Sequence, residues 1–254
     1  MEMLAAALVH RLVAAATRLA GIAAVCCVVG WAALAHAQVP AHLAEPLAAS
    51  APTWLQDQPA PVMARCRLEL FVPGRDGAQV REWLFSRSAN QIRLLKSEVE
   101  EVWRRDERGR ISFDRIFHAD RRIVRYSSGE LRNFGITPDW LGLSYLVDPR
   151  GMRELPASLG GSGSVPLQGA RAGQPDQLQW DSVRQLPARV VVEVREGALR
   201  MTCLEAPVTL LPAPDSGDYL ITDAADLADM AYDPFARKAA ALEVRHGWRS
   251  AHQH

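Results

Sequence analysis

Lysine is almost absent from this chain: of the 29 basic residues only Lys96 and Lys238 are lysine, and the rest are arginine. Acidic residues also number 29, so the formal charge is zero and there is no electrostatic footprint for a nucleic acid or another polyanion. Cysteine is scarce at four residues, and none stands in the Cys-x-x-Cys spacing of a redox pair. No serine occupies a Gly-x-Ser-x-Gly elbow. Gly160-Gly161-Ser162-Gly163 lacks the lysine and helix that a phosphate-cradling loop needs. Asp223, Asp226, Asp229 and Asp233 lack the glycine turn and closing glutamate of a calcium loop, so they read as a solvated face. With no nucleophile in a recognisable setting, the chain reads as a binding protein and not as an enzyme. The excess of arginine and alanine is the codon signature of a GC-rich genome.

What is present is one long apolar run, and it lies at the start. His10, Arg11 and Arg18 lead into Leu19–Leu34, which ends at Ala35-His36-Ala37, the small-x-small pattern cut by a signal peptidase. This predicts a cleaved leader over residues 1–37, export to the periplasm, and no stable membrane span after cleavage. Val25 before Cys26 argues against lipid attachment. Cleavage removes Glu2, Arg11 and Arg18, which leaves 27 basic and 28 acidic residues. Residues 38–61, with Pro40, Pro46, Pro52, Pro59 and Pro61, read as an alanine- and proline-rich linker.

From Val62 the period is two. In Val62–Leu70 the even positions are apolar and the odd ones mostly charged, so Cys66 points inward, and Leu199, Met201 and Cys203 share a face in the same way. Two inward cysteines in an oxidising compartment predict a structural Cys66–Cys203 disulfide. Short strands are expected at 62–70, 80–86, 92–97, 99–104, 110–117 and 122–127, then at 177–180, 188–195 and 198–204. Their brief connections, such as Pro73-Gly74-Arg75-Asp76-Gly77, imply antiparallel neighbours. A helical insertion is expected near 138–155, opening beside Asp139, and a flexible loop at 157–165. The segment from Asp223 is compatible with a short helix stopping near Pro234, and residues 236–254 form a histidine-bearing tail in which Ala236–Val244 could be another helix. The expectation is one α+β, mostly β domain over 62–235: a curved antiparallel sheet or half-open barrel covered by a few helices.

The hairpins from Cys66 to Ser127, the step Asp120-Arg121-Arg122-Ile123-Val124-Arg125-Tyr126, and Trp180-Asp181 leading through Leu186-Pro187 into a hairpin resemble the periplasmic lipoprotein-carrier fold, the LolA, LolB and RseB type. The resemblance covers residues 62–204. It implies a concave sheet face that binds acyl chains or a lipidated partner from the envelope. Candidate lining residues are Leu70, Trp83, Phe85, Trp103, Phe113, Tyr126 and Trp140; the alternative is that they simply fill the core. A different class of function, metal handling, would use His246, His252 and His254 to hold copper or zinc. His118 and Asp120, with Asp114 nearby, could form an oriented base but read as turn residues.

Overall fold

The computed structural model describes residues 55, 59–74, 76–97, 99–159, 163–169, 174–194, 197–206 and 216–245. The expected leader over residues 1–37, most of the expected linker and the three tail histidines lie outside these residues. Twelve strands form one open sheet: β1 (Val62–Phe71), β2 (Gln79–Arg87), β3 (Gln91–Leu95), β4 (Glu100–Arg105), β5 (Ile111–Phe117), β6 (Arg122–Tyr126), β7 (Arg153–Glu154), β8 (Ser164–Gln168), β9 (Gln177–Asp181), β10 (Leu186–Val194), β11 (Gly197–Glu205) and β12 (Leu220–Asp223). Their spatial order is β12-β6-β5-β4-β3-β2-β1-β11-β10-β9-β8-β7. Every pairing is antiparallel except that of β12 with β6, which is parallel. The fold is thus mostly β, with three short α-helices among the described residues.

The centre of the sheet is the β1–β11 pair, where Cys66 lies directly opposite Cys203 and the two form a disulfide. Both side chains are buried, as the alternation of their strands requires. Inward positions of β1, β2, β3, β10 and β11 (Ala64, Leu68, Phe85, Leu94, Val190, Met201) join one continuous core.

The sheet curls around that core. Arg87 ends β2 and donates hydrogen bonds to the carbonyls of Arg184 (2.7 Å) and Gln185 (2.9 Å) at the β9–β10 turn. In a flat sheet, the intervening β1 and β11 would hold β2 and β10 roughly 14 Å apart. Arg87 also reaches Ala60 O at 3.0 and 3.1 Å and Ser144 O at 2.7 Å, so one buried guanidinium fastens three other backbone segments to β2. Burial pushes its pKa down to about 10, partly opposed by Tyr145.

Three helices cover the inner face. Helix α1 (Ser128–Asn133) opens with a capping box in which Ser127 Oγ accepts from Glu130 N and Glu130 accepts from Ser127 N. Helix α2 (Trp140–Tyr145) is capped by Asp139, which accepts from Leu141 N and Gly142 N. It is shorter than the expected insertion; residues 153–154 are extended as β7, and β8 begins at Ser164 within the expected loop. Helix α3 (Pro234–Arg245) begins at a proline where the sequence suggested a stop. Proline is accepted at a first helical position because its missing N–H has no intrahelical partner there. The expected short helix before it is a 3-10 turn over Ala224–Ala228. The folded domain therefore extends past residue 235 into the segment expected to be tail.

Candidate functional site

The seven candidate lining residues all stand on the inner side of the molecule. Register makes the reason plain: Ile92, Trp103, Phe113 and Tyr126 are opposite one another across β3, β4, β5 and β6. The rings form a ladder, with centroids 4.3 Å apart for Trp103–Phe113 and 5.2 Å for Phe113–Tyr126, and Phe134 continues it at 6.0 Å. These spacings suit offset and tilted aromatic pairs. Phe85, Trp103, Phe113, Tyr126 and Trp140 are buried, whereas Leu70, near the β1–β2 turn, and Trp83, opposite Cys66 in mid-strand, are half-buried. The ladder holds three of the seven; Phe85 and Trp140 join the same core, Trp83 packs against it, and Leu70 stands apart.

A polar strip crosses the same face. The next register row runs Phe85, Leu94, Glu101, Arg115, Val124, so the alternation that buries the aromatics also buries a carboxylate and a guanidinium. Glu101 lies 2.8 Å from Lys96 Nζ and 3.8 Å from Arg115. Arg115 lies over the Phe113 and Tyr126 rings at 5.2 and 5.8 Å. Tyr126 donates to the buried Glu243 of α3 at 2.5 Å.

Helix α3 is the roof over this strip. Phe235, Ala236, Ala239, Leu242 and Glu243 are buried while Arg237, Lys238 and Ala241 face out, the 3.6-residue pattern of an amphipathic helix. Its start is fastened by Asp233, which accepts from Arg122 at 2.6 Å and from Phe235 N at 2.7 Å. Lys238 reaches Asp120 at 2.5 Å, and Phe117 meets Phe235 edge-on at 5.0 Å. The Asp233 carboxyl is held below the usual carboxylate range, first by the Arg122 side chain and then by the Phe235 N–H.

The outer face carries a second, smaller apolar cluster of Val102, Ile116 and Ile123, flanked by Tyr219 and Ile221. Glu100, also buried, accepts from Arg93 at 2.5 Å and lies 3.1 Å from His118 Nε2, while His118 Nδ1 is 3.0 Å from Tyr219 Oη. His118 therefore faces Glu100, whereas Asp114 is engaged by Arg104 (2.5 Å) and Arg125 (3.0 Å) and Asp120 by Lys238. Sequence reading missed this because Glu100 is eighteen positions away and becomes a neighbour only through the β4–β5 hairpin.

At the rim near α2 a cleft of about 190 Å³ opens. Arg105, Trp140 and Ser144 line it together with Pro59, Pro61 and Ser88. Trp140 is the one sequence candidate that reaches it. Among the described residues no group of three or more histidine, cysteine, aspartate or glutamate side chains could hold a metal ion, and no helix is long and apolar enough to cross a membrane. His246, His252 and His254 lie outside those residues. No family model matches this chain, and no curated protein matches it.

Proposed function

We propose that this protein is an exported, periplasmic binding protein of the carrier type, which holds an apolar ligand or a lipidated or apolar segment of an envelope protein against the inner face of its half-barrel. The observation that carries the reading is the construction of that face: an aromatic ladder floors it, and short helices with polar fastenings roof it. A second sheet packed over it would be a permanent lid; α3 is held over β5 and β6 by the pairs Arg122–Asp233, Lys238–Asp120 and Tyr126–Glu243 together with a modest apolar stripe. The Arg122–Asp233 and Lys238–Asp120 pairs are partly exposed and weak, so the buried Tyr126–Glu243 hydrogen bond and the apolar stripe are what ligand burial has to offset for the roof to lift. The buried disulfide supports an oxidising destination. The likeness to the LolA and RseB type of fold is part of the same proposal.

Titration of the full chain with a fluorescent fatty acid tests this. Saturable binding is expected, displaced by unlabelled fatty acid and with a faster on-rate in Lys238→Ala, which loosens the roof without entering the core. Absence of saturable binding in both proteins would overturn it. Metal handling by the three tail histidines is the rival, and no observation in the described residues favours it.

A further inference from the structure

The cleft beside α2 is lined by basic, hydroxyl and apolar groups, with no carboxylate among its lining residues. Arg105 holds its guanidinium 4.8 Å from the centre of the Trp140 ring and donates Nη2–H to Ala89 O at 3.2 Å. It makes no ion pair with a described residue, in a protein whose other strand arginines largely meet aspartate or glutamate: Arg67, Arg93, Arg104, Arg122 and Arg125 all do. A guanidinium has five N–H donors, so most of those on Arg105 remain for a ligand. Ser144 lines the same cleft; it is fully buried, and its Oγ has no hydrogen-bond partner.

The backbone of the cleft wall adds to its sign. The carbonyls of Ala60 and Ser144, two lining residues, both accept from Arg87, whose partners among the described residues are carbonyls alone. Two acceptors of the lining are thereby already occupied by a second, buried cation. A cleft with a half-buried cation, an unpartnered hydroxyl and an indole wall discriminates in favour of an anion with a small apolar stub. Its volume equals that of about six waters, which accommodates a single oxyanion group and a short stub but no acyl chain.

We propose that this cleft binds a single oxyanion group, a carboxylate or a phosphate, through Arg105, with Ser144 Oγ as a second hydrogen-bonding group and Trp140 as the apolar wall. The proposal stands on the cleft itself and survives if the inner face proves to bind nothing.

Inorganic phosphate, glycerol phosphate and acetate, titrated separately into the full chain and followed by Trp fluorescence and by the Arg105 Nε–H resonance, test it. Vesicles of phosphatidylcholine, with and without phosphatidylglycerol, form the second arm. Saturable binding of a free anion at millimolar concentration, weakened tenfold or more in Arg105→Gln and severalfold in Ser144→Ala but unchanged in the exposed Arg108→Gln, supports a free oxyanion ligand. Binding only to vesicles with the anionic lipid, and lost in Arg105→Gln, supports a lipid headgroup as its source. No saturable binding in either arm, or equal binding by wild type and Arg105→Gln, overturns the proposal. Arg105 is half-buried at a strand end, and an unchanged melting temperature establishes that the variant is folded.

Discussion

Opening the Cys66–Cys203 disulfide perturbs the seam where the two halves of the chain meet. The bridge closes a loop with a sequence separation of 137. In the chain-entropy model a loop of that length raises the unfolded state by about 5 kcal/mol, at the upper end of the 2–5 kcal/mol measured when native bridges are removed. Domains of this size are stable by roughly 5–15 kcal/mol, so the bridge carries a third or more of the total. Because β1 and β11 occupy the middle of the sheet, its loss also frees the hairpins β1–β6 from the strands β7–β11 along the line where they join. Urea unfolding of the oxidised protein and of Cys66→Ala/Cys203→Ala, followed by Trp fluorescence, measures the effect. The expected result is a lower midpoint corresponding to about 3–5 kcal/mol, with amide protection falling first in β1 and β11. A midpoint shift worth less than 1 kcal/mol would refute the loop-closure argument and place the stability of the seam in its eight-residue register.

Arg87→Met removes the donor to four carbonyls, two of them buried, and is expected to cost about 3 kcal/mol, which for a domain of this size is a fall of about 9 °C in Tm by calorimetry. At Gly197, where φ is +146°, a Cβ would lie 1.8 Å from the Phe71 carbonyl oxygen, so Gly197→Ala is expected to destabilise by about 3 kcal/mol in urea titration, far beyond an ordinary strand glycine. The Asp233 carboxyl titrates below its unfolded value, so its contribution is present above about pH 4 and is lost as the pH falls through the folded value. Hydrogen-exchange protection of α3 should drop over that range, and Asp233→Asn should show low protection at both ends of it.

The strands were legible because alternation is local: Val62–Leu70 declares its buried face in nine residues, and the disulfide followed from two such faces. Helix α1 carried the signature Ser127-x-x-Glu130, obscured by Gly129 and by its six-residue length. Strand β12 had no such cue, since Leu220–Asp223 is four residues long and becomes a strand only because β6 offers it a free edge in parallel register. The aromatic ladder could be read residue by residue but not as a ladder, because register across β3–β6 is set by turn geometry. Glu101 and Arg115 carried a readable signal: each shares parity with an inward aromatic two positions away, Trp103 and Phe113. The cleft at Arg105 was not legible, because its walls come from four separated segments, two of which Arg87 ties to the end of its own strand.

The same central seam also times the assembly of the molecule. One edge of β1 is satisfied at once by the following hairpin, but its other edge has to wait for β11, and the chain between Cys66 and Cys203 must be synthesised meanwhile. At ordinary elongation rates that delay is on the order of ten seconds. Throughout it the nascent sheet presents a ten-residue strand with a bare row of backbone donors and acceptors, guarded against stray pairing by Arg65, Arg67 and Glu69 on its outward side.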